Sequence, residues 1–236
     1  MQRPDVCVLI PTFNNAETLS TVIGGVLAHT PRVIVVNDGS TDRTGEILAR
    51  FPMVSVVAYA RNRGKGFALR QGFIKALSLG YRYAITIDSD GQHYPEDLDT
   101  FERALATHEG ALIVGARNME NADQPGGSSF GNRFSNFWFH LETGIRCPDT
   151  QSGYRLYPIE RLRKVRWWTR KYEFEVEVLV RAAWRKVPVV SVPVRVYYPP
   201  PEERVTHFRP FKDFTRISVL NTALVLIMIT TFKWIR

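Results

Sequence analysis

The chain has 236 residues, 44% of them hydrophobic and 23% charged, which fits one α/β core and excludes a disordered chain. A formal net charge of +8 favours anionic partners: nucleic acid, lipid headgroups or phosphorylated substrates. Two cysteines, Cys7 and Cys147, supply neither a disulfide framework nor a zinc-ligand spacing, which suits a reducing compartment.

Met1 to Pro4 lead directly into a strand-like run, so no signal peptide is expected. Val6 to Ile10 is continuously apolar and reads as a buried parallel strand. Asn14 or Asn15 is placed to cap a helix whose apolar face is Leu19, Val22, Ile23, Val26 and Leu27. Val33 to Val36 is a second buried strand, ending in Asn37-Asp38-Gly39-Ser40, and Thr41 is placed to cap a short helix to about Phe51. Val54 to Ala58 is a third strand, followed by the loop Arg61 to Gly66 and a helix from Phe67 to Leu79. Tyr83 to Ile87 is a fourth, ending at Asp88. Pro95, Glu96 and Asp97 suit a helix start. That helix ends before Gly110, and Leu112 to Ala116 is a fifth strand.

Beyond Gly115 the pattern loosens. Asn121 to Ser129 reads as a loop, Phe130 to Leu141 as an aromatic-rich helix, Asp149 to Arg155 as a polar turn, and 174–184 as a helix. Val187 to Val190 and Val194 to Tyr198 read as two short strands. Pro199 to Pro201 close the core domain, set at residues 1–200, and 201–213 are a basic linker or acceptor-side loop. Residues 214–236 hold an apolar run, Ile217 to Phe232, between Arg216 and Lys233. That run is slightly short for a span and reads as a membrane-associated helix, the alternative being a buried core helix. The alternation predicts an α/β fold: a mostly parallel central sheet with helices on both faces, plus this C-terminal apolar helix. Ligands of such sheets bind where strands end.

The chemistry-bearing residues cluster at those strand ends. Asp88 and Asp90, two residues apart with Gly91 beside them, can converge on one ligand. Their oxygens suit Mg²⁺ or Mn²⁺, and Gln92 and His93 can add contacts. The alternative is a polar turn whose carboxylates cap nearby backbone. Asp38 can accept hydrogen bonds from a base or ribose, or form an ordinary turn. The Arg61 to Gly66 loop, with Lys65, can hold phosphate, but it matches neither the dinucleotide fingerprint nor the P-loop. Arg117, Arg133 and Arg155 each stand beside Gly, Asn or Tyr and can grip phosphate bidentately. There is no RNA-binding strand pattern and no zinc motif, so nucleic acid is not the expected partner.

Taken in order, these blocks resemble family 2 glycosyltransferases of the dolichyl- or polyprenyl-phosphate sugar synthase type. The resemblance rests on Val8 to Asn15, Val35 to Asp42, Asn62 to Gly66, Asp88 to Gln92, Gly115 to Arg117, Asp149 to Arg155 and Phe174 to Glu177. It implies a GT-A fold, and an inverting transfer of a sugar from a nucleotide-sugar donor to a membrane lipid phosphate. Pro11, Thr12, Asn14, Asp38, Lys65, Asp88 and Asp90 are then donor residues. Asp90 leads the metal ligands, with Asp88 and Gln92. Arg117 and Arg133 gather the acceptor phosphate near Gln151 and Ser152, with Arg155 and His207 as further acceptor contacts. Asp88, Asp90, Arg117 and Arg133 form the catalytic set. A phosphate acceptor needs no general base; a hydroxyl acceptor on a lipid-linked or cell-envelope glycan would need one, from Asp149, Glu173 or Glu177. A non-enzymatic nucleotide- or polyanion-binding module is the remaining alternative. The expected location is the cytoplasmic face of a membrane, peripheral or anchored by the C-terminal helix, with a homo-oligomer left open. Asn37 departs from the Asp that relatives often carry there, and Arg204 to Arg209 replaces the usual Gly-x-Ser-Lys ending.

Overall fold

The computed structural model describes residues 1–117, 126–198, 200 and 210–232. His207 and most of the expected basic linker lie outside the described residues.

In chain order the elements are β1 (Val6–Thr12), α1 (Ala16–Leu27), β2 (Val33–Asn37), α2 (Thr44–Leu48), β3 (Ser55–Ala58), α3 (Lys65–Ser78) and β4 (Tyr83–Thr86). A 3-10 turn at Pro95–Asp97 leads into α4 (Leu98–Thr107). Then come β5 (Leu112–Arg117), α5 (Gly126–Thr143), β6 (Arg155–Tyr157), α6 (Ile159–Leu162), α7 (Glu173–Trp184), β7 (Val189–Val194) and α8 (Pro210–Phe232).

They form one seven-stranded sheet in the order β3-β2-β1-β4-β6-β5-β7. All neighbours are parallel except those of β6, which runs antiparallel to β4 and β5. The expected polar turn from Asp149 ends in a short strand, β6, which begins at Arg155 and was not expected from the sequence. The two strands expected after Val187 are one, β7, and Val196 makes only an isolated bridge to His93.

The period of two sorts each strand between two cores. Val6, Val8 and Ile10 of β1 face α1, α2 and α4, against Leu19, Ile23, Leu48 and Phe101. Cys7 and Leu9 face the other way, against Leu69 and Phe73 of α3, Phe174 of α7 and Leu220 and Leu224 of α8. Capping differs from the sequence expectation: Asn15 sits at the start of α1 without a capping side-chain bond, and the Ala16 amide donates instead to Asp42 Oδ2 at 3.0 Å. The parallel β1–β2 pair thus has its outgoing loops tied to each other. Asn14, at φ 50°, adds to this, donating its amide to Ser40 Oγ and accepting from the Thr41 amide.

The apolar helix departs most from expectation. It begins at Pro210, so residues 210–213 are helical, and it packs on α5 and α7. Asp213, Leu220, Asn221 and Leu224 are buried, while Phe211, Val219, Leu226 and Ile229 are exposed. Beyond Leu224 no described residue of the helix is buried.

A charge problem sits in this second core. The Glu142 carboxyl on α5 is buried, and neither oxygen has a hydrogen-bond partner among the described residues. Burial raises its pKa from 4.5 to about 8. The folded state therefore holds the proton more tightly than the unfolded chain does. Stability is greatest below about pH 4.5 for this group and falls as pH rises toward 8. Glu142→Gln keeps the neutral shape. The variant is expected to melt higher than the parent at pH 8, with the difference shrinking at pH 5, in thermal unfolding scans.

Candidate active site

The C-terminal ends of β1, β2 and β4 open onto one cleft of about 610 Å³. Pro11, Thr12, Asp38, Lys65, Asp88 and Asp90 line it, so most of the expected donor residues are brought together. Asn14 and Gln92 line an adjoining hollow that shares Asn15 and Asp90 with the first. Asn15, not anticipated from the sequence, donates from Nδ2 to Ser89 Oγ at 2.9 Å and links α1 to the Asp88–Asp90 turn.

Asp38 is buried at the end of β2. Its Oδ1 accepts from the Arg63 amide at 2.8 Å, and its Oδ2 from the Gly64 amide and Asn62 Nδ2 at 2.8 and 3.0 Å. Its carboxylate pins the 62–64 loop to the cleft floor, with one acceptor position left over, on Oδ1. Gly39, at φ 70°, lets this turn close against the backbone of Arg61 and Asn62, where a Cβ would collide.

Lys65 opens α3 but reaches inward. Its Nζ lies 2.9 Å from both oxygens of Asp88 and 3.3 Å from Glu175 Oε1, the latter without hydrogen-bond geometry. Burial works against the charge of Asp88, but Lys65 outweighs it and holds the carboxyl below its ordinary range. Asp90 goes the other way: burial and then the charge of Asp88 raise it to about 6. Asp90 Oδ1 also accepts from the Gln92 amide at 3.0 Å. Crowded carboxylate oxygens at a strand end fit Mg²⁺ or Mn²⁺. Among the described residues no group of three His, Cys, Asp or Glu side chains forms a complete cage. Substrate oxygens would therefore complete the coordination around Asp90, Asp88 and Gln92. His93 is not a cation here: burial lowers it to about 4, and its ring lies 4.9 Å from that of Tyr154.

Outside the residues that line the cleft, Arg117 closes β5. Its Nε and Nη2 donate to Asp149 Oδ2 and Oδ1 at 2.6 and 2.8 Å, and its amide to Oδ2 at 3.1 Å. Asp149 is fully buried by this clamp. It orients an arginine, and it is not placed as a free base. Glu177 is likewise fully buried, accepting from the Trp168 and Thr169 amides, Thr169 Oγ1 and Arg181. Of the three candidate bases, only Glu173 keeps a buried oxygen, Oε2, with no hydrogen-bond partner among the described residues.

Arg133 stands on the exposed side of α5 and makes no ion pair among the described residues. The Gln151 amide approaches the same helix, 3.5 Å from where a Cβ on Gly131 would stand. Ser152 is buried, with Oγ accepting from the Tyr154 amide. Arg155 is not an acceptor contact. It is fully buried and donates to the carbonyls of Ser152, Glu175 and Thr150 at 2.6, 2.7 and 2.8 Å, a strut joining β6 to α7. The cleft also takes Lys171, Tyr172, Lys212, Asp213 and Arg216, none of which the sequence singled out as donor residues.

Residues 7–164 match the family described as glycosyl transferase family 2. The chain belongs to that family. Polyprenol monophosphomannose synthase of Mycolicibacterium smegmatis is 32% identical over 210 residues, covering 79% of this chain and 75% of that one. A UDP-N-acetylglucosamine–dolichyl-phosphate N-acetylglucosaminyltransferase of Methanococcus voltae is 27% identical, covering 82% and 86%. Among solved structures, glucosyl-3-phosphoglycerate synthase from Mycobacterium tuberculosis, in complex with Mn²⁺, UDP and phosphoglyceric acid, superposes with a TM-score of 0.69. It is 20% identical and covers 94% of this chain and 77% of that one. This family 2 chain is a glycosyltransferase with the GT-A fold.

One glycine guards the centre of the site. A Cβ on Gly153 would stand 2.6 Å from Asp88 Oδ2 and 2.8 Å from Lys65 Nζ. Gly153→Ala is expected to push this pair apart and to destabilise the enzyme by about 1–3 kcal/mol, as overpacking does. Urea unfolding measures the loss, and sugar transfer should fall with it.

Proposed function

We propose that this glycosyltransferase moves a sugar from a nucleotide-sugar donor to a membrane lipid phosphate such as polyprenyl phosphate, with inversion at the anomeric carbon. The observation that carries the acceptor reading is the state of the candidate bases. Asp149 is clamped to Arg117 and Glu177 is enclosed by four donor groups. A phosphate oxygen is already anionic near neutral pH and needs no base to take its proton. The relatives named for polyprenyl- and dolichyl-phosphate chemistry support the same class.

In this reading the donor lies along Pro11, Thr12, Asn14 and Asp38, with its diphosphate toward Asp88 and Asp90. A divalent cation held there, Mg²⁺ or Mn²⁺, would supply charge stabilisation to the departing diphosphate; the Mn²⁺ and UDP of the solved relative agree with this. Arg117, pre-set by Asp149, presents its remaining guanidinium edge to the acceptor phosphate, and Arg133 with Gln151 and Ser152 completes the grip. The attacking oxygen approaches from the face opposite the diphosphate.

Residues 1–200 carry the sheet and the strand-end carboxylates, α8 packs against them, and the same helix holds the enzyme at the cytoplasmic leaflet. The 21 residues Phe211–Thr231 are long and apolar enough to cross a bilayer by length and composition. The docked half of the helix packs on α5 and α7, which favours an interfacial anchor, its exposed side chains Val219, Leu226 and Ile229 in the lipid.

Two measurements test this. Asp90→Asn retains the shape but removes a charge from the diphosphate site. It should cut transfer by about 10²-fold or more, with circular dichroism unchanged, across a Mn²⁺ and Mg²⁺ titration. Near-parental rates would remove Asp90 from the mechanism. Arg117→Lys and Arg133→Lys keep the charge and lose the planar fork. Each should slow transfer to polyprenyl phosphate by roughly 10²-fold, with non-additive effects in the double variant if both grip one phosphate. The parent should label polyprenyl phosphate and leave the matching polyprenyl alcohol unlabelled. Efficient labelling of the alcohol would turn attention to Glu173 as the base.

A further inference from the structure

The cation on the floor of the cleft and the one that closes β5 are both already spoken for. Lys65 lies between Asp88 and Glu175, and Arg117 is bound through two of its nitrogens and its amide to Asp149. The floor that remains carries Asp38, Asp88 and Asp90. Such a surface repels a diphosphate, and one divalent cation offsets only part of the repulsion. The lining cations outside this core are Lys171, just before α7, and Lys212 and Arg216, on the first two turns of α8. Lys171 and Lys212 make no ion pair among the described residues, and Arg216 pairs with Asp213 at a loose 3.3 Å while remaining 43% exposed.

These groups are not carried on a loose tail. Asp213 is buried, the ring of Phe214 meets that of Phe134 on α5 at 5.3 Å, and Leu220 and Leu224 belong to the core beneath α3, α5 and α7. Helix stability does not call for them either. Cations near a helix start oppose the helix dipole.

We infer that α8 is a wall of the donor site, with Lys212 and Arg216 gripping the diphosphate of the nucleotide across the cleft from Asp88 and Asp90. The inference rests on the nucleotide-sugar reading and deepens it. The element that seats the enzyme on the membrane also completes the pocket for its water-soluble donor. Lys171 is the third member of the grip, contributed by the segment before α7.

The test uses the full chain in detergent micelles and titration calorimetry with Mn²⁺ present. The probes are UDP, GDP and inorganic pyrophosphate, with uridine and guanosine as diphosphate-free controls. Whichever diphosphate the parent binds, Lys212→Gln with Arg216→Gln should weaken it at least tenfold and leave the matching nucleoside unchanged. Arg216→Lys should recover most of the single-variant loss, which a folding defect would not allow, and Lys171→Gln should weaken the same probes. Val219→Gln with Leu226→Gln, on the exposed side of the same helix, should reduce flotation with phosphatidylcholine–phosphatidylglycerol vesicles and leave diphosphate affinity intact. A Lys212/Arg216 double variant that binds UDP, GDP and pyrophosphate as the parent does overturns the inference. Equal loss of nucleoside and diphosphate in that variant overturns it as well, since the helix would then be only a support. Failure of the acceptor reading looks different: transfer to a hydroxyl with the diphosphate losses as described leaves this inference standing.

Discussion

Everything at the cleft depends on the ammonium of Lys65 being held between Asp88 and Glu175. That contact ties the start of α3 to the end of β4 and the first turn of α7, three elements far apart in the chain. Such a buried pair adds little net stability, because desolvation nearly cancels the attraction, but removing one partner leaves an uncompensated charge. Its value here is placement. It holds one carboxylate below its ordinary range, and burial together with that neighbouring charge lifts Asp90 to about 6. The two aspartates, chemically alike, become a structural anion and an adjustable one. Gly153 keeps the space that the pair requires.

The same logic recurs at the end of β5. Asp149 spends both oxygens on Arg117 and gains no exposure to solvent. In both pairs a buried carboxylate holds a cation in one orientation. In the Lys65 pair both partners line the cleft, and in the Arg117 pair the carboxylate is wholly enclosed.

The central sheet was legible because its strands are buried on both sides and read as unbroken apolar runs, as Val6 to Ile10 and Val33 to Val36 do. The strand-end position of Asp38, Asp88 and Asp90 followed from that directly. Strand β6 was not legible: three residues, one of them a buried arginine, give no period to read. Arg155 looked like a phosphate ligand because its three carbonyl partners come from residues 150, 152 and 175, and a contact of that kind leaves no trace in spacing. Asp149 and Glu177 looked like free bases for the same reason. The start of α8 was misplaced because apolarity marks only the part of a helix that meets lipid or core. Lys212 and Asp213 line the cleft but look like linker, and Arg216, which lines it too, looks like the flank of an apolar run.

The docking of α8 has a practical consequence. A common way to make a membrane-bound enzyme soluble is to trim its apolar tail. In this fold Leu220 and Leu224 fill the same core as Leu9, Phe73 and Phe174. Cutting at the apparent end of the catalytic unit would strip those two leucines from beneath α5 and α7. It would open an apolar furrow along α5 and α7 and leave a sticky domain in place of a soluble one. Repainting the outward side of the helix, at Val219, Leu226 and Ile229, is the route to a soluble form that keeps its core.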